Sequence, residues 1–223
     1  MFRIKICGIT EPNDARAVIE AGADAVGLNF YPASPRFVDR EKARRIRDVL
    51  SPDIVKVGVF VNAAAKDICQ IFDELELDLI QLHGDETPDF LTQLGGRPVM
   101  RAFRLGAEGL QPVFDYLERC TQLRCAPKLV LVDALVKDVY GGSGQSADWS
   151  VCGEYSCQQD VPPLVLAGGL TPSNVAEAIN QVRPGAVDTA SGVESSPGQK
   201  DHEAVRAFVR AARKAFDIIK PRG

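Results

Sequence analysis

The chain has 223 residues, 45% hydrophobic and 25% charged, with 26 Lys and Arg against 30 Asp and Glu. That supply of apolar side chain suits a folded core rather than a disordered chain, and the net charge of -4 argues against nucleic acid or an anionic membrane as main partner. No signal-peptide apolar stretch follows Met1, and no run reaches the ~18 apolar residues a membrane span requires, so a cytoplasmic protein is expected.

In chain order, apolar and β-branched runs predict strands at 3–7, 25–30, 55–61, 79–83, 99–103, 129–133, 164–167 and 186–189. Amphipathic segments with helical spacing lie between and after them, at 13–21, 40–50, 64–75, 87–94, 109–120, 173–181 and 202–216. Only 149–158 makes a poor helix, because Gly153 and two cysteines interrupt it. Regular alternation of strand and helix means a parallel sheet, and eight repeats without a linker favour a single-domain (β/α)8 TIM barrel over residues 1–223. The basic cluster Arg40, Lys42, Arg44, Arg45 and Arg47 is interspersed with acids at helical spacing and reads as a solvated helix face. Six cysteines in so apolar a chain read as reduced thiols. The pairs Cys120 with Cys125 and Cys152 with Cys157 lack the short spacer usual in zinc sites, and no metal is expected.

In such a barrel the chemistry sits on the residues at and just past the C-terminal end of each strand. Strand one alternates, with Phe2, Ile4 and Ile6 on one face and Arg3, Lys5 and Cys7 on the other, before Gly8 breaks it. A cysteine taken alone is more often a small buried hydrophobe. Here Lys5, roughly 6.6 Å away at ~3.3 Å rise per residue, would favour the thiolate and make Cys7 a proton acceptor near neutral pH. After strand two, Ser34-Pro35-Arg36 offers a guanidinium that can grip a carboxylate with two parallel bonds. Gln81 and His83 share a face at the end of strand four and point toward the mouth as supporting groups. Asp133 finishes the apolar strand six, where desolvation would keep a carboxyl protonated as a general acid.

A glycine-rich loop, Tyr140-Gly-Gly-Ser-Gly-Gln145, comes next and could lie over a ligand; it is not a Walker loop. Strand seven leads into Gly168-Gly169, then a helix start at Thr171-Pro172-Ser173, and strand eight into Ser191-Gly192-Val193-Glu194. Amides freed by these glycines, with the N-terminus of a short extra helix, predict a phosphate cradle and hence a small phosphorylated substrate. Asp188 shares the inward face with Ala186 and Ala190, whose small side chains leave room for ligand.

Taken together, Lys5-Ile-Cys-Gly-Ile-Thr10, Ser34-Pro-Arg36, Val57-Gly-Val-Phe-Val61, Gln81-Leu-His-Gly84, Gly141-Gly-Ser-Gly144 with Asp148-Trp149, Leu166-Ala-Gly-Gly-Leu170 and Asp188 to Glu194 with Gly198-Gln-Lys-Asp201 closely resemble the phosphoribosylanthranilate isomerase family. The match runs nearly end to end and in order. It implies an Amadori rearrangement of N-(5'-phosphoribosyl)anthranilate in tryptophan synthesis, with Cys7 as general base, Asp133 as general acid and Arg36 holding the anthranilate. Gln81, His83 and Asp188 are then expected to bind substrate, and Gly142, Gly144, Gly168, Gly169, Ser191 and Gly192 its phosphate. No cofactor is expected, since the substrate's own amine supplies the electron sink. Departures are small: Ser143 replaces a frequent threonine, and Thr189-Ala190-Ser191 replaces valine-serine-serine. Two other readings stay open on the residues alone. Another phosphate-binding barrel of amino-acid biosynthesis would call for a catalytic lysine, for which Lys5 occupies a suitable place, or for an aspartate at the end of strand one and two similar half-barrels, where the chain has Cys7 and no convincing half repeat. A noncatalytic phosphoribosyl sensor would need neither Cys7 nor Asp133.

Overall fold

A computed structural model describes residues 1–134, 149–158 and 160–219. Eight parallel strands close in sequential order: β1 (Ile4–Cys7), β2 (Ala25–Asn29), β3 (Val55–Phe60), β4 (Leu79–Leu82), β5 (Val99–Arg104), β6 (Leu129–Asp133), β7 (Leu164–Ala167) and β8 (Ala186–Thr189), with β8 pairing back onto β1. Around them run α1 (Pro12–Glu20), α2 (Arg40–Arg47), α3 (Ala65–Glu74), α4 (Pro88–Leu91), α5 (Gln111–Leu123), α6 (Ser150–Tyr155), α7 (Val175–Val182) and α8 (His202–Ile218). The expected (β/α)8 barrel is therefore the fold.

The strands are apolar on both faces because each face is covered. Ala25, Val57, Leu79, Met100, Leu131, Val165 and Ala186 fill the lumen. Their alternates Val26, Ile80, Val130, Val132, Leu164, Leu166 and Val187 pack outward, in the shell that includes α7 and α8. Phe2 departs from the expected alternation: β1 begins only at Ile4, and Phe2 joins the lumen cluster while Ile4 and Ile6 face outward. Free of strand register, its ring folds under the barrel and helps to plug it.

Asp side chains start two helices. Asp39 accepts from the Lys42 amide ahead of α2, and Asp201 from the Glu203 and Ala204 amides ahead of α8. The arginines of α2 are neutralised locally, Arg40 and Arg44 on Glu74 and Arg45 on Glu41, as a solvated face requires. The poor helix after β6 shrinks to the six residues of α6, and α7 begins at Val175, later than the expected start. Asn174 explains the delay: its side chain accepts from the Thr171 amide and donates to the Gly169 carbonyl, so residues 171–174 form a side-chain-closed turn.

After β8 the chain makes a 3-10 turn (Ser191–Val193) and an antiparallel hairpin of β9 (Glu194–Ser196) and β10 (Gln199–Lys200) before α8. The Thr10 hydroxyl donates to the Gly198 carbonyl at 2.5 Å, and Asp14 accepts the Lys200 amide, so the hairpin is tied to the loop after β1 and to α1. Among the described residues no helix is long and apolar enough to cross a membrane.

Candidate active site

Cys7 ends β1 opposite Gly27 of β2. A side chain at 27 would place its Cβ 2.6 Å from the Cys7 sulfur and 3.2 Å from Lys5 Cε, so the glycine makes the space in which thiol and lysine stem meet. Lys5 is fully buried, and its ammonium donates to Asp188 Oδ2 at 2.9 Å. Burial would strip this lysine of its charge, but the Asp188 carboxylate, joined by Cys7, more than reverses that and holds its pKa above the ordinary value. Cys7 is not the low-pKa thiol that its neighbour Lys5 implies. Burial dominates and pushes the thiol pKa up; Lys5 and, further off, Lys200 pull it down, while Asp188 works against them. Much of the Lys5 field is spent on its partner carboxylate. Asp188 is correspondingly less open than its small neighbours suggested, yet its Oδ1 is buried without a hydrogen-bond partner among the described residues.

Arg36 lies against the same strand end: a Cβ on Gly8 would collide with Arg36 Cδ, so the guanidinium stem crosses over the residue next to Cys7. Its fork is already engaged. Nε and Nη2 donate to the two oxygens of Glu194 at 2.8 and 2.6 Å, and Glu194 also accepts from Lys200 Nζ at 2.7 Å. The bond to Glu194 raises the Arg36 pKa against burial. Burial would raise the Glu194 carboxyl, but Arg36 and Lys200 override it and hold the group low. Glu194 and Lys200 face each other across the β9–β10 hairpin. Their roles escaped the sequence reading, although Pro197-Gly198 between two short polar runs is a hairpin signal.

Across the mouth, Gln81 and His83 meet as expected, with Gln81 Nε2 and His83 Nδ1 3.2 Å apart. With the amide as donor, Nδ1 accepts and the ring proton sits on Nε2. Burial, aided by the cations of Arg104, Lys5 and Arg101 and opposed by Asp133, drops His83 to about 4, so the imidazole is neutral at physiological pH. Gln81 Oε1 is a second buried acceptor without a partner among the described residues. Asp133 ends β6 beside Ala167 of β7, within electrostatic reach of both His83 and Asp188. Arg101, from the outer face of β5, donates to the carbonyls of Leu82 and Gly84, one on each side of His83.

Gly168 and Gly169 carry φ of +95° and +65°, a turn that side chains other than glycine strain to make. Gly192 approaches the same loop: its Cβ would collide with the Leu170 carbonyl oxygen, to which the Thr189 hydroxyl donates at 2.7 Å. The loops after β7 and β8 are thus locked side by side, with Gly169 and Ser191 exposed and Gly168 and Gly192 half-buried. The short extra helix is only the 3-10 turn Ser191–Val193. Gly142 and Gly144 lie outside the described residues. Among the described residues no group of three or more His, Cys, Asp or Glu side chains could hold a metal ion.

A closed eight-stranded barrel with ionisable and polar side chains gathered at the C-terminal ends of β1, β2, β4, β6 and β8 has the construction of a (β/α)8 enzyme. Residues 4–211 match the family model of N-(5'phosphoribosyl)anthranilate (PRA) isomerase. An N-(5'-phosphoribosyl)anthranilate isomerase from Trichlorobacter lovleyi is 48% identical over 218 residues, spanning 97% of this chain and all of that relative. Among solved structures, phosphoribosyl anthranilate isomerase from Thermotoga maritima superposes with a TM-score of 0.81 at 41% identity, covering 96% of this chain and 100% of the other. A phosphoribosyl anthranilate isomerase in complex with reduced 1-(o-carboxyphenylamino)-1-deoxyribulose 5-phosphate gives 0.82 at 38% identity and the same coverage. The chain belongs to the N-(5'-phosphoribosyl)anthranilate isomerase family.

Proposed function

We propose that this enzyme converts N-(5'-phosphoribosyl)anthranilate to 1-(2-carboxyphenylamino)-1-deoxyribulose 5-phosphate, using Cys7 as base and Asp133 as acid. The observation that carries the reading is the juxtaposition of Cys7 with Arg36, which would set a proton acceptor beside the anchoring point of an anionic ring. Asp133 protonates the furanose ring oxygen as the C1'–O bond breaks and the anilino nitrogen lone pair forms the iminium. The Cys7 thiolate then removes the C2' proton, whose bonding electrons form the C1'–C2' double bond and neutralise the nitrogen, and the enolamine tautomerises to the aminoketose. A raised thiol pKa suits the second step, because a more basic thiolate takes a carbon-bound proton more readily once formed. No electron leaves the substrate, and its own nitrogen is the sink, so the reading requires neither cofactor nor metal.

Substrate contacts follow from the groups that the site leaves unsatisfied. The edge of Arg36 turned away from Glu194 suits the anthranilate carboxylate. Asp188 Oδ1 and Gln81 Oε1, acceptors that burial leaves costly when unmade, suit sugar hydroxyls, and neutral His83 offers its Nε2 proton. Gly168, Gly169, Ser191 and Gly192 hold the phosphate. Residues 1–223 act as one barrel domain, working in the cytoplasm. Loss of phosphoribosylanthranilate fluorescence on mixing with the purified protein tests the reading: turnover far above the spontaneous rate is expected, and none would overturn it.

A further inference from the structure

Arg36 is pinned at both ends. Its stem rests over Gly8, where no β-carbon fits, and its Nε/Nη2 edge is held by both oxygens of Glu194, whose side chain is only 4% exposed. Glu194 is itself fixed by Lys200, whose fully buried ammonium donates to it and, at 3.0 Å, to the Ala190 carbonyl. The hairpin carrying both is anchored through Thr10 and Asp14 to the β1 side of the mouth. A guanidinium is planar and has five N–H groups in a fixed fork. With two of them on Glu194, three remain, and one from each of Nη1 and Nη2 points off the far end of the plane, where the pair can take a second carboxylate in parallel.

We infer that Glu194 is a positioning residue that makes the site selective for a carboxylate-bearing ring, by fixing the plane of Arg36 so that its outer edge receives that carboxylate. This rests on the reading of Arg36 given above. A free arginine side chain would lose its rotamer entropy on each binding event, whereas one held by a buried partner has lost it on folding. Glu194 cannot itself bind the ligand, because both oxygens already accept from cations and an anionic ring would be repelled. Its effect reaches substrate only through Arg36.

The test compares two substrates, phosphoribosylanthranilate and the N-glycoside of aniline with ribose 5-phosphate, which lacks the carboxylate. The ratio of their kcat/KM values is read in the wild type, Glu194→Gln, Glu194→Asp and Arg36→Ala. Glu194→Gln removes the charge but keeps the shape, and should lower the ratio about tenfold or more through KM for the carboxylated substrate. Glu194→Asp keeps the charge that neutralises Lys200, stands in if the first variant fails to fold, and should lower the ratio less. Equal losses on both substrates would mean that Glu194 merely holds the hairpin, and an unchanged ratio would mean that it does not position Arg36; either overturns the inference. Arg36→Ala separates the two levels of claim. If it lowers the ratio and the Glu194 variants do not, only the inference falls; if it leaves the ratio unchanged, the reading of Arg36 falls as well.

Discussion

Cys7 shows how much a sequence conveys about a single residue and how much it withholds. Its placement beside Lys5 was legible from strand alternation, but the sign of the net effect on the thiol was not, because Asp188 comes from 183 residues away to bind the lysine. Lys5→Met tests this balance. Losing the ammonium leaves Asp188 without its ion-pair partner in a dry site, where it takes up a proton; its repulsion was the smaller influence on the thiol, so the Cys7 pKa still rises. Cys7 as the proposed base would have to be deprotonated to act, so the ascending limb of kcat/KM against pH should move to higher pH than in the wild type; a limb that stays or falls would count against Cys7 as base. Breaking the pair should also cost about 3–5 kcal/mol in denaturant unfolding. Gly27 passes in the sequence for an ordinary strand residue, although glycine inside a strand often marks close approach. Gly27→Ala should cost about 1–3 kcal/mol through overpacking against the Cys7 sulfur and its Cα, and reduce turnover by displacing the thiol. Wild-type melting and kinetics would show that the space is not needed.

At the scale of elements, runs with both faces apolar were easy to place, and three of the strands have the predicted bounds. Short polar elements were not. Glu194–Ser196 and Gln199–Lys200 carry no apolar periodicity, and their stability comes from ion pairs and contacts to loops distant in sequence. The turn after β4 is built similarly. Arg101 bonds the carbonyls on either side of His83 and lies 3.5 Å from Glu86, which accepts the Asn62 and Gly84 amides. An arginine in the middle of a predicted strand signals such a staple only once its outward direction is known. Arg101→Met keeps the apolar stem but strands the buried Glu86, and should cost about 3 kcal/mol or more. Chemical denaturation checks the value; a loss below about 1 kcal/mol, within the reach of an exposed pair, would mean that the staple contributes little.

For the molecule as a whole, the barrel was legible because eight strand–helix units repeat with lean connections, and closure follows from their number. The candidate site was legible in its members rather than in its wiring: Cys7, Arg36, Gln81, His83, Asp133 and Asp188 come from strand ends that the closed sheet gathers at one mouth. The ion pairs that set their charge and aim join β1 to β8 and the loop after β2 to the hairpin, contacts that only closure creates. In the proposed isomerisation Cys7 and Asp133 divide the proton transfers between them. That division is tested by kcat for loss of phosphoribosylanthranilate fluorescence in Cys7→Ser and Asp133→Asn. Each should fall by ~100-fold or more, the usual contribution of a general acid or base, with folding intact by circular dichroism. Wild-type turnover in either variant would contradict the account.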